Sequence, residues 1–392
     1  MSVPPTSDDA RAHSEHLHAL IREQIVAAGG AIPFWRFMEL ALYAPGLGYY
    51  SAGAAKFGGA GDFVTAPELG PLFAECVAEA VAPVIRQLGE DAAFLELGAG
   101  SGLFAEYAIK RLMALDAMPA RYAILEPSAD LRERQREHLS RRLTPPVFDR
   151  VQWLDGPMSD DWNGVLFANE VVDALPTPRF AIRDGEVFEE YVAIDGDAFV
   201  RAELPADALL SAAVRHVERQ LDAPFAEGYR SELLPQLPYW VQAVAGGMKA
   251  GAMLFVDYGH PRGEYYDPRR SDGTLRAFHR HHVVEDVFAR VGLQDITASV
   301  DFTALAEAGS GAGFDFAGYC SQASFLIGNG LEQRLAEHES HAPDEAARHA
   351  LRQQVKALTL PGEMGERFQA MGFARDVEFG TAFLLGDLSF RL

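Results

Sequence analysis

Cysteine is nearly missing from these 392 residues: only Cys76 and Cys320 occur, in unrelated segments. They form no metal-ligand spacing, and a reducing cytoplasm is the simplest compartment for them. Long apolar runs are missing as well, so no membrane insertion is expected. Nothing near the start reads as a signal peptide, and Leu17, Leu20, Ile21 and Ile25 are spaced for an amphipathic helix. Basic charge is short, with 34 Lys and Arg against 56 Asp and Glu, a net charge of -22 with histidine neutral. A phosphate backbone calls for Lys and Arg gathered on one face, whereas the cluster from Arg132 to Arg142 is broken by Glu133 and Glu137. Nucleic acid is therefore disfavoured as a partner, and a cationic substrate is compatible with the charge.

What is present is ordinary globular material, 48% hydrophobic and 23% charged, organised around Phe94 to Phe104. Phe94-Leu95-Glu96-Leu97 reads as a buried strand, and Gly98, Gly100 and Gly102 as a tight turn open to a ligand. Phe104, Tyr107, Ala108 and Leu112 then fall on one face of a helix. A dinucleotide fingerprint would need G-x-G-x-x-G, and a phosphate loop would need Lys with Ser or Thr; neither is here. E-x-G-x-G-x-G after a strand resembles the pattern of S-adenosylmethionine-dependent methyltransferases, although a glycine turn without a ligand would look similar. Tyr122 to Glu126 favours the ligand. It is a second apolar strand ending in an acid, placed to take both ribose hydroxyls.

A third strand, Val151 to Asp155, ends in a carboxylate that suits either an adenine amino group or a turn cap. A fourth, Gly164 to Ala168, runs into Asn169-Glu170-Val171-Val172-Asp173. The end of the fourth strand faces the transferred methyl in this fold class, which makes Asn169, Glu170 and Asp173 candidates for chemistry. Glu170 and Asp173 would share a face if a helical turn began after Asn169. Upstream, glycine-flanked Asp62 and Thr65 have the composition of a lid, while Trp35 and Phe37 read as core. Downstream, Phe180–Ile182 and Phe188–Ile194 predict a hairpin about Asp184-Gly185, with helices near 210–221 and 233–248. A fifth strand spans Ala252 to His260, followed by a helix over 283–291 and a strand near 296–302. The histidines at 279, 281 and 282 lack neighbouring ligands at metal spacing, so no metal is expected.

Taken together, several segments resemble the MidA family of S-adenosylmethionine-dependent methyltransferases. They are Tyr43 to Tyr50, Gly61 to Glu68, Glu96 to Gly102, Ala168 to Pro176, Asp257 to His260, Thr274 to Arg276 with Phe278 and His281, and Val300 to Phe302. The chain departs from the family's usual G-P-G-R-G at Ala99 and Ser101, from two aromatics at Val171 and Val172, and from a glycine at Ala277. The resemblance implies an α/β, Rossmann-like class I core, a doubly wound and mostly parallel sheet. It would carry an N-terminal helical and lid region (1–90), an insertion (179–245) between two core segments (91–178 and 246–302), and a C-terminal extension (303–392). It further implies S-adenosyl-L-methionine as cofactor, held by Asp62, Thr65, Glu96, Gly98, Gly100, Gly102, Glu126, Asp155 and Asn169. Glu170 and Asp173 would grip a protein arginine, with His260 or His281 relaying a proton. Mitochondrial members modify arginine in assembly of respiratory complex I, which implies a complex I subunit or similar protein as partner. A small amine acceptor and a non-catalytic assembly role stay open at this point.

Overall fold

The computed structural model describes residues 8–52, 65–158, 161–279 and 282–392, divided into two compact units. The larger unit takes residues 64–172, 237–259 and 300–392. Its seven principal strands are β1 (Ala93–Leu97), β2 (Arg121–Leu125), β3 (Val151–Leu154), β4 (Trp162–Asn169), β5 (Met248–His260), β6 (Asp315–Ser321) and β7 (Phe368–Arg375). They lie in the order β3-β2-β1-β4-β5-β7-β6, and the short strand Val300–Asp301 also pairs with β5. β1 to β5 run parallel, while β7 is antiparallel to both β5 and β6. The order reverses between β1 and β4, so the carboxyl ends of those strands flank the crevice in which doubly wound sheets bind ligands.

Helices α1 (Pro71–Leu88), α2 (Leu103–Ala114) and α3 (Ala129–Arg142) belong to the same unit. One sheet face presents Phe94, Tyr122, Ile124, Val165 and Phe167 to buried residues of α1 and α2. Stacked rings mark it, with Phe94 4.8 Å from Tyr122 and Phe104 4.3 Å from Phe167. Alternation along β5 sends Phe255 to the other face, where it meets Trp240 and Phe373. The C-terminal segment expected as an extension therefore supplies two strands of the sheet itself.

The smaller unit takes residues 1–63, 173–236 and 260–299. Its helices Asp8–Ala27 and Phe34–Tyr43 bury Leu17, Ile21, Ile25, Phe34 and Phe37. The hairpin Arg179–Arg183 and Glu186–Asp195 forms as predicted, its Asp184-Gly185 turn left-handed at both residues. A further strand, Ala198–Pro205, continues it. Helix Ala208–Glu218 falls close to its expected position, as does Leu237–Ala245, which belongs to the larger unit.

Two expectations fail here. Residues 283–291 form no helix; the strand His282–Val284 pairs with Arg276–His279, and a turn follows in which Asp286 accepts the Phe288 amide at 2.9 Å. β-branched Val283 and Val284 suit the sheet, and the aspartate offers the backbone an alternative to helix. The strand expected at 296–302 is two short ones, Asp295–Thr297 and Val300–Asp301, in different sheets. Asp301 ends the second by accepting the Ala304 amide at 3.1 Å as N-cap of the helix Phe302–Gly311.

Candidate functional site

Parallel pairing sets the carboxyl ends of β1, β2 and β4 side by side, Leu97 opposite both Leu125 and Ala168. Gly98, Gly100 and Gly102 follow β1, and all three are left-handed, at φ 64°, 53° and 86°. The Gly98 amide donates to the Leu125 carbonyl at 3.0 Å and the Gly102 amide to the Ala99 carbonyl at 2.8 Å. A side chain at Gly98 would press on Val171 at 3.2 Å, so the turn has no room to thicken there. Ser101, where the family usually carries arginine, bonds to the Glu68 carboxylate in the short helix Ala66–Leu69.

The acids of the motif have separate surroundings. Glu96 is buried within β1 and accepts from the Tyr122 hydroxyl at 2.7 Å; burial pushes its carboxyl up to about 8. Glu126 is also buried. Its Oε1 accepts from the Ser128 amide at 3.0 Å and its Oε2 from Gln135 Nε2 at 3.3 Å. Desolvation still outweighs those bonds and raises the Glu126 carboxyl to about 7.

Gln135 was not singled out in the sequence. It donates to the Gly100 carbonyl at 2.9 Å as well, and accepts from Trp153 Nε1 at 2.9 Å. The available signal was its place between Leu131 and Leu139, the other two buried residues of α3.

At the end of β4, Asn169 Nδ2 donates to Glu170 Oε1 at 3.1 Å, while Asn169 Oδ1 is buried with no hydrogen-bond partner among the described residues. The Glu170 amide donates to the Val256 carbonyl at 2.9 Å, and Glu170 is left-handed at φ 52°. The helical turn expected after Asn169 is therefore absent, and the shared helix face that paired Glu170 with Asp173 goes with it. Asp257 of β5 shapes the turn instead, accepting from the Val172 amide at 3.1 Å and the Tyr258 amide at 2.9 Å. Asp173 opens the smaller unit's segment. It is buried there, and its carbonyl accepts from the Ala298 amide at 2.9 Å; burial first, with smaller contributions from Asp295, Tyr43 and Asp173, raises the Tyr50 hydroxyl.

The remaining candidates scatter. Asp155 is exposed and pairs with Arg132 at 2.8 Å. Thr65 precedes the short helix and accepts the Glu68 amide at 3.0 Å through its carbonyl. Asp62 and His281 lie outside the described residues.

A side-chain-free glycine turn, a fixed carboxylate at the next strand end and a buried amide oxygen awaiting a donor fit an adenosyl amino acid better than a phosphate ligand. Residues 76–320 match the family model described as "Putative S-adenosyl-L-methionine-dependent methyltransferase". The chain belongs to this family.

The methyltransferase has a solved relative from Burkholderia thailandensis, a COG1565 superfamily member bound to S-adenosyl-homocysteine. It is 42% identical, with each chain covered in full and a TM-score of 0.91. Among curated proteins, protein arginine methyltransferase NDUFAF7 of Danio rerio is 29% identical over 88% of this chain and 83% of its own. The Drosophila melanogaster homologue is 26% identical over 94% and 88%. The methyltransferase thus uses S-adenosylmethionine on a Rossmann-like core. The cofactor supplies an electrophilic methyl group. In this chain the glycine turn would admit it, Glu126 would accept from its ribose, and Asn169 Oδ1 would accept from an N–H donor.

Proposed function

We propose that the methyltransferase modifies an arginine side chain of a protein, a respiratory complex I subunit or a protein like it. The observation that carries the proposal is Glu170, a carboxylate at the end of β4 held in a strained left-handed backbone. A non-glycine residue stays in that region only where its surroundings enforce it, and such strain gathers at functional sites. Guanidinium is protonated at neutral pH and a poor nucleophile. A carboxylate that accepts from two of its N–H groups draws charge to one side and leaves the other nitrogen for reaction. The names of the NDUFAF7 relatives support arginine as the acceptor. An acidic chain, net -22, suits a basic protein partner. A cytoplasmic location is part of the same reading, since Cys76 and Cys320 are both buried free thiols. No helix among the described residues is long and apolar enough to cross a membrane.

The test is incubation with methyl-labelled cofactor and purified complex I core subunits, followed by mass spectrometry. Label on arginine is the expected result; label on another residue type, or none with active protein, overturns the acceptor assignment.

A further inference from the structure

The ends of three strands meet at one side chain. Gln135, in the middle of α3, is fully buried. Its amide nitrogen donates to Gly100, in the turn after β1, and to Glu126, just beyond β2. Its amide oxygen accepts from Trp153, in β3. An indole N–H can only donate and a peptide carbonyl can only accept. The amide therefore cannot be turned end for end without losing both partners, and Trp153 dictates that an N–H group faces Glu126. Packing does not ask for an amide here. Leu131 and Leu139 flank Gln135 on the buried stripe of α3, and a third apolar residue would continue it. A buried amide is costly unless fully bonded, so its place in this stripe calls for a reason other than stability.

We infer that Gln135 is a positioning residue for cofactor recognition: it acts through Glu126, fixing that carboxylate to receive the two vicinal hydroxyls of the cofactor's ribose. With Ser128 on one oxygen and Gln135 on the other, both oxygens of Glu126 are held from the protein side. A carboxylate pinned in this way presents a fixed pair of acceptors and loses little freedom when a diol arrives. Gln135 touches no reacting atom. The inference rests on the reading of Glu126 as the ribose acceptor.

The experiment is a double-mutant cycle on the full chain, with S-adenosylhomocysteine affinity read by titration calorimetry. Gln135→Met keeps the side chain's length and removes its hydrogen bonds. It should weaken binding about tenfold in the parent and less than about twofold in a Glu126→Gln background, the loss expected for one bond to a charged group. In turnover, KM for S-adenosylmethionine should rise by a larger factor than kcat falls. An equal loss in both backgrounds overturns the inference, because Gln135 would then act through the glycine turn or the fold.

If Gln135→Met does not fold, Trp153→Phe carries the test, since it removes the N–H that orients the amide and leaves Gln135 itself in place. Several-fold weaker binding in the parent and no change in the Glu126→Gln background is the expected pair of results. Unchanged affinity in the parent overturns the inference. Failure of the underlying reading shows separately: Glu126→Gln alone would leave the affinity intact, and this inference would fall with it.

Discussion

The hydroxyl of Tyr122 donates a 2.7 Å hydrogen bond to the carboxylate of Glu96, one strand away, and both side chains are buried. That bond favours the ionised carboxyl, but burial prevails and lifts it from 4.5 to about 8. Between those values the unfolded chain releases a proton that the native state keeps. The unfolded state thus binds fewer protons, and stability falls as pH rises through this window. Glu126, raised to about 7, acts in the same direction, so comparison with a single variant isolates Glu96. Glu96→Gln can still accept from Tyr122 without a charge. It should match the parent near pH 4.5 and exceed it at pH 8.5 by on the order of 1–3 kcal/mol. Urea midpoints at the two pH values measure this, and a parental pH slope in the variant would refute it.

The glycine turn tests cofactor access. Gly100 is left-handed at φ 53°, so Gly100→Val strains the turn as well as filling it. A loss of about 1–2 kcal/mol in stability is expected from the backbone alone. S-adenosylhomocysteine binding should disappear in calorimetry while circular dichroism still reports a folded chain. Binding at parental strength would place the cofactor elsewhere.

Glu126→Ala removes the carboxylate pinned by Ser128 and Gln135. Binding should weaken by about 1.5–3 kcal/mol, the range for hydrogen bonds to a charged group. Titration of S-adenosylhomocysteine decides it, and an unchanged Kd would move the ribose away from the end of β2.

Glu170 separates strain from chemistry. Glu170→Gly relieves a left-handed backbone and should raise stability by on the order of 0.5–1 kcal/mol. Glu170→Gln keeps the shape and removes the charge, and turnover should fall about a hundredfold in both variants. Cofactor affinity should stay near parental in both. Single-turnover transfer to an arginine-containing protein, with thermal melts alongside, provides the measurement. A parental rate for Glu170→Gln would remove arginine as the acceptor.

Much of the larger unit was readable locally. Phe94 to Gly102 and Tyr122 to Glu126 declare themselves because an apolar run, an acid and a turn-former succeed each other within a few residues. What failed needed distant partners. Val283, Val287 and Val291 recur at helical spacing, yet Val283 and Val284 pair across a sheet with Phe278 and Ala277. The segment after Asn169 is shaped by Asp257, far along the chain, so no local pattern could show its left-handed turn. Gln135 sits among arginines and reads as surface until its register with Leu131 and Leu139 is noticed. β6 and β7 were missed as strands of the sheet because helices occupy most of the chain between them, and pairing at that separation leaves no local mark.

The position of β7 bears on how the protein is made. It stands between β5 and β6 although it is the last of the seven strands to leave the ribosome. Until it emerges, Gly251 to Tyr258 of β5 lack the neighbour that covers one side of them, and β6 has no partner in the sheet. The nascent chain therefore carries an apolar, unpaired edge from the completion of β5 at His260 until β7 is made, the kind of edge that recruits other chains. A stalled or prematurely terminated product lacking residues 368–375 would keep that edge permanently. Chaperones that shield β5 during translation, and proteases that clear the truncated chain, would act on the same segment, Gly251 to Tyr258.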